Sequence, residues 1–162
     1  MSKAAKWRVC VLGGGAWGTA LALAMLRAGH GVRLWAREEN TVAAINRHEN
    51  PAYLPGIALD PGIRATSDMA AALAGADCVL AVTPAQALRS VLAAARSRIP
   101  QKSPLVLCAK GIERETGALL SAIAAEALPA NPIAALSGPS FAADVAKGLP
   151  TAVVVAARDE AL

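Results

Sequence analysis

A chain of 162 residues is long enough for one ordinary domain with a real core and too short for two comfortable ones. With 55% hydrophobic, 17% charged and only 3% aromatic residues, the core has to be built from Ala, Val, Leu and Ile, which argues against disorder and suits helices packed on a parallel sheet. The net charge of +4 raises nucleic acid as a partner, but the basic residues are scattered singly and one Tyr and one Phe offer little for base stacking, so small anionic molecules fit the balance better.

Lys3, Lys6 and Arg8 precede the uncharged run Val9–Leu26, the outline of a signal peptide or anchor. Gly13, Gly14, Gly15 and Gly18 interrupt it, and the second apolar run, Met69–Leu88, contains Asp77 and Pro84. Both read as elements of a soluble domain with no membrane span. Cys10, Cys78 and Cys108 fall in apolar, strand-like runs and read as reduced core thiols of a cytoplasmic protein. With no Cys-x-x-Cys pair and only His30 and His48, no metal site is expected.

Strand and helix patterns then alternate along the chain. Arg8–Leu12 is a β-branched run ended by glycines, followed by a helix over Trp17–Ala28 with Leu21, Ala24, Met25 and Ala28 on one face and Gly29 as its stop. Val32–Ala36 reads as the second strand, and Glu38–Arg47 as a helix with acids in its first turn. Glu49–Pro61, with Pro51, Pro55, Gly56 and Pro61, is a loop. Arg64–Thr66 is a short strand, and Ser67 is placed to cap a helix over Asp68–Leu73. Asp77–Val82 is a buried strand, followed by a helix over Ala85–Arg98, the strand Leu105–Cys108 and a helix over Thr116–Leu128. Ile133–Leu136 leads into the turn Ser137–Ser140, a short helix over Phe141–Lys147 and a last strand over Ala152–Ala156. Seven strands alternating with helices imply one domain over residues 1–162: a Rossmann-type, doubly wound, mostly parallel sheet with helices on both faces.

Within that frame Gly13-Gly14-Gly15-Ala16-Trp17-Gly18 fits Gly-x-Gly-x-x-Gly and stands where the mechanism demands, between the first strand and the first helix. Gly13 permits the tight turn, Gly15 lets the backbone approach a pyrophosphate, and Gly18 lets helix and strand pack closely. The free N–H groups and the dipole of the helix start then face the phosphates of NAD or NADP. The second strand ends in Ala36-Arg37 where NAD-selective sites usually place an acid, so Arg37 favours the 2′-phosphate of NADP, while Glu38 and Glu39 stay open as ribose contacts. Lys110 follows a strand at its carboxyl end, placed to meet a phosphate or a carbonyl oxygen. Ser137-Gly138-Pro139-Ser140-Phe141 leads from a strand into a helix and offers amides and two hydroxyls to an anion.

Taken together these segments resemble the bacterial-type NAD(P)-dependent glycerol-3-phosphate dehydrogenases. The stretches that carry the resemblance are Gly13–Ala22, Leu34–Arg37, Asn50–Gly56, Val82–Arg89, Lys110–Glu113, Gly138–Ala142 and Gly148–Ala152, in family order over essentially the whole chain. The resemblance implies hydride transfer between a nicotinamide and C2 of dihydroxyacetone phosphate, giving sn-glycerol 3-phosphate for phospholipid synthesis. It implies Ala16, Trp17, Arg37, Tyr53 and Ala142 as cofactor contacts, Lys110 as shared between cofactor and substrate, and Gly138 and Ser140 as substrate contacts. Asp144 departs from the Glu that the family often carries there. The resemblance also implies a homodimer, and a second, helical domain that supplies the general acid/base lysine. No catalytic residue is therefore expected in these 162 residues, and lacking a proton donor typically costs ~10²–10⁴-fold. A nucleotide-sensing module without catalysis is the alternative that this arrangement leaves open.

Overall fold

The computed structural model describes residues 5–158. Its strands are β1 (Arg8–Leu12), β2 (Gly31–Trp35), β3 (Arg64–Thr66), β4 (Cys78–Ala81), β5 (Leu105–Leu107), β6 (Ile133–Ser137) and β7 (Val154–Ala157). They form one sheet in the order β3-β2-β1-β4-β5-β6-β7. The helices are α1 (Ala16–Arg27), α2 (Glu39–Asn46), α3 (Met69–Leu73), α4 (Leu88–Ala95), α5 (Leu120–Ala127) and α6 (Ala142–Ala146). The first six strands pair in parallel, with Val9 opposite Val32 on one side and Cys78 on the other.

Successive side chains of a strand point to opposite faces, so a sheet covered on both sides must be apolar on both. β1 obeys this. Val9 and Val11 join a cluster with Leu21 and Leu23 of α1, Ile45 of α2 and Val145 of α6. Cys10 and Leu12 join another with Leu73 of α3, Leu88 and Leu92 of α4 and Ile123 of α5. The chain is doubly wound, and after β3 it crosses to the other side of β1, which opens a crevice at the carboxyl ends of β1 and β4.

Several local expectations shift. α1 is buried over Gly18–Leu23 rather than along one stripe, and Ala28 is exposed. Gly29 does stop the helix, at φ +89°, with His30 N–H reaching back to Met25 O. Asp68, not Ser67, caps α3: its carboxylate accepts from the amides of Ala70 at 2.8 Å and Ala71 at 3.2 Å, while the Ser67 hydroxyl donates to Glu39. Asp77 lies outside β4, held by the Arg8 amide at 2.8 Å. The helix expected from Ala85 opens as a 3₁₀ turn over Ala85–Ala87, where the Gln86 amide donates to Ile112 O and accepts from Arg114 N–H. The helix expected from Thr116 begins at Leu120, because the Thr116 hydroxyl donates to Glu113 and Gly117, at φ +70°, leaves the helical region.

β7 runs antiparallel to β6, with Leu136 opposite Val155. A return to the sheet's other end would have been needed for parallel pairing. The five residues of α6 rise only about 7.5 Å, roughly half the span of a five-residue strand, and Gly148 turns the chain at φ +76°. The sheet stays mostly parallel.

Candidate functional site

The loops after β1, β2, β4 and β5 enclose a cavity of about 550 Å³, within the range of small-molecule sites. Its floor is the glycine turn. Gly13 adopts φ +132° and donates its N–H to Trp35 O at 2.9 Å; a Cβ there would stand 2.8 Å from Val82 O. At Gly18 a Cβ would fall 1.9 Å from Gly13 O, so only glycine lets α1 start this close to β1. Gly15 is different: its φ of −73° suits any residue, and a Cβ would meet nothing within 4 Å. It sits at the N-cap of α1 with no side chain capping it, facing the cavity. A bare helix start with open space before it is a cradle for an anion.

Around this floor stand Ala16, Trp17, Arg37, Glu38, Tyr53 and Lys110. Arg37 follows β2 with its side chain 80% exposed, held at 2.7 Å by Glu38, whose hydrogen bond and charge raise the guanidinium pKa further above its usual range. Tyr53 hangs half-exposed over the same rim, its backbone N–H bonded to Asn50 O. Thr83, just past β4, is buried, and its hydroxyl has no partner among the described residues. An orphaned hydroxyl beside a cavity marks where a polar ligand atom would satisfy the protein.

A second cavity of about 280 Å³ adjoins the first, lined by Leu136, Ser137, Gly138, Ser140, Phe141 and Ala142. Ala16, Trp17, Cys108 and Lys110 line both. Lys110 stands at the junction and donates to Gly138 O at 3.2 Å, tying the β5 loop to the turn after β6. Gly138 is required here too, since a Cβ would fall 2.7 Å from Ala152 O at the entry to β7. Cys108 is a poor nucleophile: burial pushes its thiol up to about 12. Cys10 and Cys78 are likewise buried, unbridged and raised, to about 12 and about 11.

The residues expected as cofactor or substrate contacts line these two cavities, except Glu39, left open above as a ribose contact, which lines neither and accepts from the Ser67 hydroxyl instead. Gly13, Gly15, Ala16, Trp17, Gly18, Arg37, Tyr53 and Lys110 line the larger, while Gly138, Ser140 and Ala142 line the smaller. Asp144 lines neither; it lies in α6, and its N–H is bonded to Phe141 O. Thr83 was missed, because a threonine after an apolar strand reads as a loop residue. So was the support of Lys110: Arg89 of α4 grips Glu113 of the same loop with two hydrogen bonds, at 2.8 and 3.0 Å.

Residues 8–162 match the family model described as NAD-dependent glycerol-3-phosphate dehydrogenase N-terminus. The chain belongs to that family. It is 78% identical over 156 residues to the glycerol-3-phosphate dehydrogenase (NAD(P)+) of Mesorhizobium japonicum, covering 96% of this chain and 46% of the relative. The enzyme of the same name from Rhodospirillum rubrum is 57% identical over 155 residues, 95% of this chain and 44% of its own length. The crystal structure of glycerol-3-phosphate dehydrogenase from Coxiella burnetii superposes with a TM-score of 0.89 at 36% identity, covering 96% of this chain and 48% of that one. The chain thus spans just under half the length of the curated relatives it matches. As a member of this family it carries the seven-stranded α/β unit, and no helix among the described residues is long and apolar enough to cross a membrane.

Proposed function

We propose that this chain is the cofactor-binding domain of an oxidoreductase that interconverts dihydroxyacetone phosphate and sn-glycerol 3-phosphate, with NADP favoured over NAD. The observation that carries the reading is the uncapped start of α1 at Gly15, open to a 550 Å³ cavity that adjoins, through Lys110, a smaller pocket. The family's own description and the names of its members supply the chemistry, and the cradle fits it.

Gly13 and Gly18 set the turn, so that the first amides of α1 present partial positive charge to a diphosphate without a side chain in the way. Ala16 and Trp17 form the near wall, and Tyr53 covers the adenosine side. Arg37 exchanges its bond to Glu38 for the 2′-phosphate of NADP, a bidentate pairing that suits a guanidinium. When bound, the dinucleotide supplies or accepts the hydride. Lys110, between the two cavities, holds the substrate's oxygen beside it, and Gly138 and Ser140 offer backbone and hydroxyl groups to the triose. Ala142 closes the pocket near Trp17 on the cofactor side.

On this reading the protein is cytoplasmic and works as a homodimer on a phosphorylated triose for glycerophospholipid synthesis, and its three unbridged, buried cysteines support a reducing compartment. Arg8, Arg37, Arg47 and Arg89 each pair with a neighbouring acid, which argues against a nucleic-acid groove built from them. Titrating the chain with NADPH and NADH tests the reading. Saturable binding of at least one, tighter for NADPH, is expected; no binding of either would refute it.

A further inference from the structure

Asn50 lies in the proline-rich loop after α2, outside any helix or strand, yet it is 1% exposed. Its side-chain amide donates to Gly14 O at 3.0 Å and to the Thr19 hydroxyl at 2.9 Å. The Thr19 hydroxyl itself lies 3.4 Å from the same Gly14 oxygen. Two donors, one from the loop and one from α1, thus converge on a single carbonyl of the glycine turn. Burying a carboxamide among apolar residues is costly unless its hydrogen bonds are made, so the arrangement is specific.

Its consequence follows from peptide geometry. The peptide unit is planar and trans, so the carbonyl of one residue and the N–H of the next point in opposite directions. Pinning the Gly14 carbonyl to Asn50, on the buried side, turns the Gly15 N–H toward the open side, where Gly15 lines the larger cavity. It also keeps a carbonyl oxygen, which would repel a phosphate, out of the cradle. Glycines flank this peptide, and glycine backbones cross readily between conformations, so the orientation needs an external anchor.

We propose that Asn50 is a positioning residue for dinucleotide binding, one that sets the Gly14–Gly15 peptide so that its N–H faces the diphosphate. The inference rests on the reading above that the cavity takes NAD(P)H. It touches the diphosphate bridge and leaves the adenosine end, held by Arg37 and Tyr53, to itself.

The test is Asn50→Asp, which keeps the shape, removes both donors and sets a carboxylate against the Gly14 oxygen. Binding of NADPH and of adenosine 2′-monophosphate, which lacks the diphosphate bridge, is compared in the parent chain and the variant. In a folded variant we expect NADPH affinity to fall about 10- to 100-fold while adenosine 2′-monophosphate stays within about twofold. Unchanged NADPH affinity, or an equal loss for both ligands, would overturn the proposal. Should the variant fail to fold, the Gly15 amide resonance of the parent chain decides. It should shift strongly on adding NADPH, and a Gly15 resonance that stays put while NADPH binds would overturn the proposal. If the parent chain binds neither NADPH nor NADH, the functional reading itself fails, and this inference with it.

Discussion

Arg89 and Glu113 join α4 to the loop after β5 through a forked pair of hydrogen bonds, at 2.8 and 3.0 Å, three residues beyond Lys110. Glu126 takes a third bond from the same guanidinium at 3.0 Å, and the Thr116 hydroxyl also donates to Glu113. The Arg89 pairing, then the Thr116 hydroxyl, hold the Glu113 carboxyl below the usual glutamate range. Lys110 therefore stands on a braced loop.

That brace makes a pH prediction. A carboxyl with a depressed folded pKa contributes stability that is fully present above its unfolded pKa and is lost as pH falls through the folded value. The parent should thus melt higher than Glu113→Gln near neutral pH, and the gap should shrink as pH falls below the ordinary glutamate value of about 4.3 and through the lower folded one. Thermal melts of both proteins between about pH 7 and pH 3 check this. A gap that is constant with pH would show that the carboxylate's charge is not what braces the loop.

The turn makes a steric prediction. In Gly18→Ala the new methyl would lie 1.9 Å from Gly13 O, a backbone atom that cannot yield without moving β1 or α1. Overpacking of this kind costs at least about 2 kcal/mol, or about 4–8 °C in thermal midpoint for a domain of this size. A melt within about 1 °C of the parent would contradict the close packing.

On the proposed reading, cofactor selectivity turns on Arg37. Arg37→Gln removes the cation at the end of β2 and leaves Glu38, whose charge then faces the 2′-position unopposed. NADPH affinity should drop about tenfold, the lower end for a charge-assisted bond at so exposed a site, while NADH affinity changes less than about threefold. Isothermal titration with both cofactors measures it, and equal losses would remove Arg37 from the selectivity argument.

The parts of this molecule that repeat a pattern could be read directly from its residues. Val9–Leu12 and Cys78–Ala81 are continuous apolar runs because both faces of those strands are buried, and the glycines between β1 and α1 answer to backbone geometry alone. Lys110 and the Ser137–Phe141 turn were legible by position, since each follows a strand at the sheet edge where ligands sit. Asn50 and Thr83 were not, for a buried polar residue in a loop has no periodicity to betray it; only its partner, or the lack of one, does. The cap of α3 slipped by one residue because Ser67 and Asp68 are both good caps, and Glu39, 28 residues away, claims the serine. The reversal of β7 depends on how short α6 is, a length set by its packing on α1 and by Arg27, which donates to Val145 and Ala146 at its end.

Gly15→Val asks the central question most directly. The backbone there suits any residue and the space beyond is open, so the variant should fold and melt like the parent while its side chain fills the place of the diphosphate. The account predicts that affinity for NADPH and NADH falls about 100-fold or more with the thermal midpoint unchanged in the absence of ligand. A folded Gly15→Val chain that binds dinucleotide as tightly as the parent would contradict it.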